Sequence, residues 1–207
     1  MNEITQITPQ IKDKRRCNVY VDGRFCCGLT LEATVKNRLK VGQIITPERL
    51  AEIQLESEKN TAFDKALTHI SATQKTEKQV RTFLKGRGYL PAVVDYVVDK
   101  LRSYNFLNDG EYAEVYAESA SKRKGSKLIR MELKGKGVSD AEIDAALENL
   151  PAEREEEAAL QLLQKYMRGK ACDKTTLQKA YRYLLGKGYD YEVVKGALSA
   201  YGECDED

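Results

Sequence analysis

Three stretches of the chain align without a gap: FLKGRGYLPAVVDYVVDKL at residues 83–101, ELKGKGVSDAEIDAALENL at residues 132–150, and YLLGKGYDYEVVKGALSAY at residues 183–201. Each holds a glycine–basic–glycine element. The second glycines, Gly88, Gly137 and Gly188, recur at intervals of 49 and 51 residues. Such a period fits about three helices per unit of a helical array. A helix-ending glycine explains the element locally. With Gly88, Gly137 and Gly188 at C′, the following residues Tyr89, Val138 and Tyr189 become C″, and Leu84, Leu133 and Leu184 become C3. An apolar contact between C3 and C″ is what a Schellman cap requires. Leu90, Ser139 and Asp190 then stand at the next N-cap, and Ser139-Asp140-Ala141-Glu142 is a capping box.

Working outward, the helix after each cap keeps one apolar face: Val94/Ile143/Val194, Val98/Leu147/Leu198 and Leu101/Leu150/Tyr201. The helix before it carries Val80/Ile129/Ala180 four residues ahead of the C3 leucine. An earlier apolar run opens each unit, with Phe63, Ala66, Leu67 and Ile70 in the first. Each unit is therefore helix 1, helix 2, glycine cap, helix 3. One unit buries too little alone, so the three are expected to pack in sequence into an elongated body. Pro47, Pro91 and Pro151 each stand where a helix should begin. The run at residues 54–60 fits either a continued helix or a hinge.

Residues 17–46 read differently. In CNVYVDGRFCC, residues 17–27, β-favouring residues flank Asp22-Gly23, a hairpin signal. Gly42 with Ile44-Ile45 suggests a third short strand, and a helix near residues 31–39 would be capped by Thr30. The expected fold is mainly α: a tandem array of three three-helix repeats, at 57–107, 108–151 and 152–207 with its acidic tail. A small β-containing N-terminal region, 1–56, precedes them.

The composition narrows function. The chain has 207 residues, 34 Lys+Arg against 32 Asp+Glu, one histidine and five cysteines. Its longest stretch free of charged residues, 66–74, is nine residues, well short of the roughly 20 a membrane helix needs. MNEITQITPQ lacks the basic-then-apolar layout of a signal peptide, and an odd, irregular cysteine set fits reduced thiols. The reading is a cytoplasmic protein with no membrane partner. A single histidine, His69, removes most zinc-hydrolase and Ser-His or Cys-His schemes. No catalytic set, small-molecule substrate, metal or cofactor is expected.

Charge is nonetheless segregated. Residues 75–87, 122–136 and 165–187 carry balances of +4, +6 and +6, whereas acidic residues gather in helices 1 and 3. Lys78, Arg81 and Lys85 sit at i, i+3 and i+7, as do Lys127, Arg130 and Lys134, so each trio shares a helix face. The aligned residues in the third unit, Gln178, Tyr181 and Leu185, lose that face. Arg87, Lys136 and Lys187 lie between the glycines. One basic helix face is ordinarily a solvated surface; its recurrence in aligned repeats points to a polyanion or nucleoprotein partner. No aromatic ladder for base stacking is evident, so nucleic-acid contact would be to backbone.

Other candidates read as structural. The glycine pairs lack the strand and the GK[ST] ending of a phosphate loop; Gly86, Gly135 and Gly186 fall in the last helical turn and could allow close backbone approach. Cys17, Cys26 and Cys27 lack a fourth ligand for metal. His69 reads as packed or surface-exposed. The acidic end, residues 203–207, reads as a frayed tail that could compete in cis for the basic face.

The second unit resembles the RecX family of recombination regulators. It carries Phe106-Leu107-Asn108-Asp109-Gly110-Glu111-Tyr112-Ala113, then Lys124-Gly125, then Ile129-Arg130-Met131-Glu132-Leu133-Lys134-Gly135-Lys136-Gly137-Val138. The first unit adds Thr76-Glu77-Lys78-Gln79-Val80-Arg81, and the resemblance covers most of residues 17–201. Asn108 stands where the family usually has aspartate. The resemblance implies a non-enzymatic modulator of the RecA recombinase that lies in the groove of the RecA–DNA filament and restrains it. Contacts are then expected at Lys78, Arg81, Lys85, Lys127, Arg130 and Lys134, supported by Arg87, Lys136 and Lys187. Direct binding to duplex DNA or RNA backbone is the alternative.

Overall fold

The computed structural model describes residues 2–11 and 13–204. The chain divides into two compact units, Met1–Gln74 with Val80–Phe106, and Lys75–Gln79 with Leu107–Asp207. The first unit opens with a three-stranded antiparallel sheet: β1 (Ile4–Pro9), β2 (Arg16–Val21) and β3 (Arg24–Thr30), in that order. Asp22 and Gly23 join β2 to β3 with positive φ at both (47° and 77°), the type I′ geometry of a two-residue hairpin. The third strand is not at Ile44-Ile45. It is Ile4–Pro9, whose first residue is fully buried, while Ile44 forms an isolated bridge to Glu3. Gly42, at φ +85°, donates its N–H to the Ile4 carbonyl at 2.8 Å. The segment therefore meets the end of β1 as a turn instead of running beside it.

Thr30 caps α1 (Leu31–Lys36), its Oγ1 accepting from the Ala33 N–H at 3.1 Å. This helix stops before the expected Leu39 because Arg38 adopts a positive φ of 52°. Helix α2 (Pro47–Ala72), with Thr46 as N-cap and Pro47 at N1, runs straight through residues 54–60. Its first half closes the sheet core: Leu50 and Ile53 join Ile4, Cys17, Val19 and Leu29. The buried Ser57 hydroxyl accepts from the Thr30 N–H at 3.0 Å. Its second half is helix 1 of the first repeat, burying Ala62 and Ala66. Val80 and Leu84 of α3 (Glu77–Gly86) and Val94, Val97, Val98 and Leu101 of α4 (Pro91–Ser103) are buried as well.

The second unit holds the other two repeats. Helices α5 (Asp109–Ser121), α6 (Ser126–Lys136) and α7 (Asp140–Glu148) enclose Ala113, Ala117, Ile129, Leu133, Val138 and Ile143. Helices α8 (Ala152–Met167), α9 (Lys174–Gly186) and α10 (Tyr191–Cys204) enclose Leu163, Met167, Leu184, Tyr189 and Val194. Pro151 precedes α8 as its N-cap instead of occupying N1. Of the acidic end, residues 203 and 204 close α10 and 205–207 lie outside the described residues.

The three glycine stops are built alike. Gly88, Gly137 and Gly188 have φ of 83°, 93° and 87°. In each, the C″ N–H donates to the C3 carbonyl: Tyr89 to Leu84 at 3.4 Å, Val138 to Leu133 at 3.2 Å and Tyr189 to Leu184 at 3.4 Å. The glycine N–H donates to the C2 carbonyl, that of Lys85, Lys134 or Leu185 in turn, at 2.9, 3.0 and 2.9 Å. That double pattern is the Schellman motif. Ser139 and Glu142 form the capping box in full. Asn108, the departure from the family pattern, caps α5 by accepting from the Glu111 N–H at 3.1 Å, a task asparagine performs as well as aspartate.

What the sequence does not reveal is where those stops dock. The carbonyl end of α9 meets the amide end of α6: the Gly125 N–H donates to the Lys187 carbonyl at 2.9 Å and the Lys127 N–H to the Gly188 carbonyl at 3.2 Å. Glu155, in the first turn of α8, takes the Ser126 N–H at 2.8 Å. The carbonyl end of α6 meets the first turn of α3 as well, there through side-chain donors. Thr76 Oγ1 donates to the Lys136 carbonyl at 2.7 Å, Lys78 Nζ to the Gly135 carbonyl at 3.0 Å, and Asp109 takes the Glu77 N–H at 2.9 Å. The helices α3 and α6 thus have N-terminal amides satisfied by the next repeat, with a carboxylate placed against the positive end of the helix dipole. Close approach occurs at the second glycine in two of the three pairs, Gly137 and Gly188, and at the first in none. A methyl at Gly188 would collide with Leu128, one at Gly137 with the Lys78 side chain and one at Gly125 with the Gly188 carbonyl, whereas Gly86, Gly135 and Gly186 have nothing within 4 Å.

Candidate functional site

The two cation trios lie on α3 and α6, but most of their members are engaged. Arg81 pairs with Asp95 at 2.5 Å and Arg130 with Asp144 at 2.6 Å, tying helix 2 to helix 3 in the same way in two repeats. Lys134 pairs with Asp140 at 2.7 Å. Lys127 pairs with Asp190 and Lys78 binds the Gly135 carbonyl, so this position serves the junction to the next repeat in both cases. Lys85 is exposed and has no ion pair among the described residues. The picture of an open row of cations is therefore corrected. The helix 3 aspartates that answer these cations, Asp95, Asp140 and Asp144, fall on its first turns, which the glycine stop folds back against helix 2. In the third repeat Tyr181 takes the arginine position and meets Tyr191 edge-on at 6.4 Å. Exposed ion pairs contribute about 0–1 kcal/mol. The Lys134 and Lys127 side chains, 53% and 66% exposed, can exchange an aspartate for a phosphate at little cost.

A second feature runs along the helix 1–helix 2 side of each repeat, and sequence reading misses it. The basic residue between the glycines covers an aromatic ring. Arg87 lies 4.4 Å from the Phe83 centroid, Lys187 5.4 Å from that of Tyr183, and Lys136 5.3 Å from that of Tyr116. Behind two of these rings stands a helix 1 side chain. His69 stacks on Phe83 at 3.9 Å and 3°, which accounts for the lone histidine as a packed residue. Tyr166 stacks on Tyr183 at 4.7 Å. In the second repeat a glutamate replaces the middle ring: Glu132 accepts from Tyr116 Oη at 2.6 Å and from Lys124 at 2.6 and 2.7 Å. Burial alone would raise the Glu132 carboxyl, but the Lys124 and Tyr116 hydrogen bonds outweigh it and hold it below the usual carboxylate range. The bond to Glu132 raises Lys124, and burial followed by that same carboxylate raises Tyr116.

A groove of about 750 Å3 opens in the second unit. Lys122 and Arg123 reach it from the turn after α5, Lys165 from α8, Arg168 and Lys170 from the turn after α8, and Lys187 from the end of α9. Tyr166 and Tyr183 are among its walls, and no carboxylate lines it. Of these cations the sequence pattern singles out only Lys187. The others count there as charge, and their convergence depends on a turn of one repeat meeting two helices of the next.

Cys17, Cys26, Cys27 and Cys172 are free thiols. Cys17 and Cys27 are buried, Cys26 and Cys172 exposed. Cys17 Sγ lies 3.1 Å from Thr34 Oγ1, and burial pushes the Cys27 thiol up to about 12, which leaves it protonated near neutrality. Among the described residues no group of three or more His, Cys, Asp or Glu side chains is placed to hold a metal ion. Nor is any helix there long and apolar enough to cross a membrane.

Comparison with known proteins agrees with this architecture. Residues 2–46 match the family model for the regulatory protein RecX N-terminal domain. Residues 62–101, 108–147 and 153–198 match the models for the first, second and third RecX three-helix domains. The regulatory protein RecX of Clostridium beijerinckii is 33% identical over 100% of this chain and 99% of its own length. That of Clostridium botulinum (strain Eklund 17B) is 35% identical over 96% of this chain and 95% of its own. A crystal structure of a regulatory protein RecX superposes with a TM-score of 0.70 at 27% identity, covering 94% of this chain and 98% of that one. With the same N-terminal region, the same three modules and relatives alike over almost their whole length, the chain belongs to the RecX family of regulatory proteins.

Proposed function

We propose that this protein is a non-enzymatic regulator that binds the RecA–DNA filament in the cytoplasm and restrains recombinase activity. The observation that carries the proposal is the repeated junction. The same helix 2 register, Lys78/Lys127 and Arg81/Arg130, recurs in modules whose helix 2 carbonyl end docks on the first turn of the preceding helix 2. A filament offers the same protomer surface at regular intervals, so several weak contacts add by effective concentration. The surface pairs on α3 and α6 suit that task, since their lysines and arginines hold position in the free protein and are weakly retained. The resemblance of the whole chain to proteins named regulatory protein RecX supports the same reading.

The test is a charge reversal, Arg130→Glu with Lys134→Glu, in the full chain. Sedimentation with RecA assembled on DNA should show at least tenfold weaker capture, while circular dichroism retains the helical signal. Capture unchanged within a factor of two, with the fold intact, refutes the assignment of this face.

A further inference from the structure

Lys187 apart, the groove between the α5–α6 turn and the third repeat has chemistry that the filament reading does not use. Six cations converge there: Lys122, Arg123, Lys165, Arg168, Lys170 and Lys187. No acidic side chain lines it, and none of the six forms an ion pair among the described residues. This is the opposite of α3 and α6, where aspartates answer the cations. Gathering like charges without counter-charges costs self-repulsion that a bound polyanion relieves.

The tyrosines decide which part of a polyanion fits. One face of the Tyr166 ring lies on Tyr183 at 4.7 Å, and Lys170 Nζ sits 3.2 Å from its centroid. Lys187 covers Tyr183 at 5.4 Å. With their faces already occupied, the rings cannot serve as platforms for bases. They act instead as props that hold two ammonium groups in place, through attraction of the cations to the ring faces. Flexible lysines fixed in this way lose less freedom when an anion arrives.

We infer that this groove binds the phosphodiester backbone of nucleic acid, independently of base sequence. The inference rests on the filament reading, since it places the DNA contact of a filament-bound protein in the second unit. It makes that contact separable from the α3/α6 face.

The test uses the full chain and fluorescence anisotropy with labelled mixed-sequence single strand, oligo-dT, and duplex, each over a salt titration. If about six phosphates are engaged, raising salt from 50 to 200 mM weakens duplex binding by about 10³-fold. Single strand gives a shallower slope than duplex, which tells the two sources apart. Lys165→Gln/Arg168→Gln/Lys170→Gln should lower the log–log slope by about 3 and weaken binding at least tenfold. Mixed sequence and oligo-dT should bind within about threefold of each other. Retained affinity in the triple variant overturns the inference. So does a strong base preference, or poly-glutamate binding as tightly as DNA at equal charge. A wild-type protein that ignores bare DNA at 50 mM salt yet sediments with RecA filaments overturns the groove and leaves the filament reading standing. Loss of filament capture with bare-DNA binding intact does the reverse.

Discussion

Alanine at the three glycine stops separates what the stop does for its own helix from what it does for the next module. All three glycines share a left-handed φ between 83° and 93°, so Gly→Ala costs about 1–2 kcal/mol of backbone strain at each. Their surroundings differ. Gly88 has nothing within 4 Å, so Gly88→Ala should cost little beyond that strain. At Gly137 the added methyl would lie 2.5 Å from Lys78 Cβ, and the lysine must move off the Gly135 carbonyl. At Gly188 the obstacle is Leu128, backbone nitrogen included, and a side-chain adjustment cannot clear it. The α9–α6 junction must open, and with it the bonds from the amides of Gly125, Ser126 and Lys127. Three hydrogen bonds at about 0.5–1.5 kcal/mol each bring the expected loss for Gly188→Ala to roughly 3–6 kcal/mol. Urea titration gives the order Gly88→Ala, Gly137→Ala, Gly188→Ala by increasing loss. Hydrogen exchange should show the Gly125 and Lys127 amides unprotected in Gly188→Ala alone. Equal losses at all three positions, or protected junction amides in Gly188→Ala, would refute docking as the reason for the difference.

Three further outcomes are expected. Glu155→Gln and Asp109→Asn keep the accepting oxygen but remove its charge from a helix N-terminus; each should cost about 0.5–1 kcal/mol in denaturant titration, less at high salt. Glu132 has its carboxyl held low when folded, so it contributes stability above the ordinary glutamate range that is lost as pH falls through its folded value. Below about pH 4.5 the wild type should lose stability faster than Glu132→Gln in parallel melts, and equal acid sensitivity would exclude that group as a source. A thiol reagent at pH 8 should label Cys26 and Cys172 within minutes and leave Cys27, raised to about 12 by burial, unlabelled until unfolding, as peptide mapping would show.

Local rules make much of the fold legible. The leucine–glycine–apolar spacing around Gly88, Gly137 and Gly188, the Ser139–Glu142 box and the Asp22-Gly23 turn depend on residues a few positions apart, and each has the expected geometry. The strand at Ile4–Pro9 escapes such rules because a single six-residue stretch announces itself only through its partner β2, which begins at Arg16. The site is harder for a related reason. Lys78 to Lys85 and Lys127 to Lys134 share a face when read along one helix, but Asp95, Asp144 and Asp190 reach them from other elements. The groove depends on residues 122–123, 165–170 and 187 meeting in space, which no spacing rule encodes. The family motif itself turns out to be partly junction chemistry: Asp109, Gly125 and Gly137 serve packing or capping at a module boundary, while Lys124 and Glu132 tie helix 1 to helix 2 within the second module.

The start of α9 differs from those of α3 and α6. Among the described residues it receives no carboxylate or carbonyl from another module; Asp173 caps it from the adjoining turn, accepting the Thr176 N–H at 2.7 Å. Helix α3 carries a local cap of its own, Thr76 Oγ1 accepting the Gln79 N–H at 3.4 Å, yet the same hydroxyl donates to the Lys136 carbonyl. A carboxylate has no proton to give, so a further copy of the module arriving at α9 would meet an acceptor in Asp173 where α3 presents a donor.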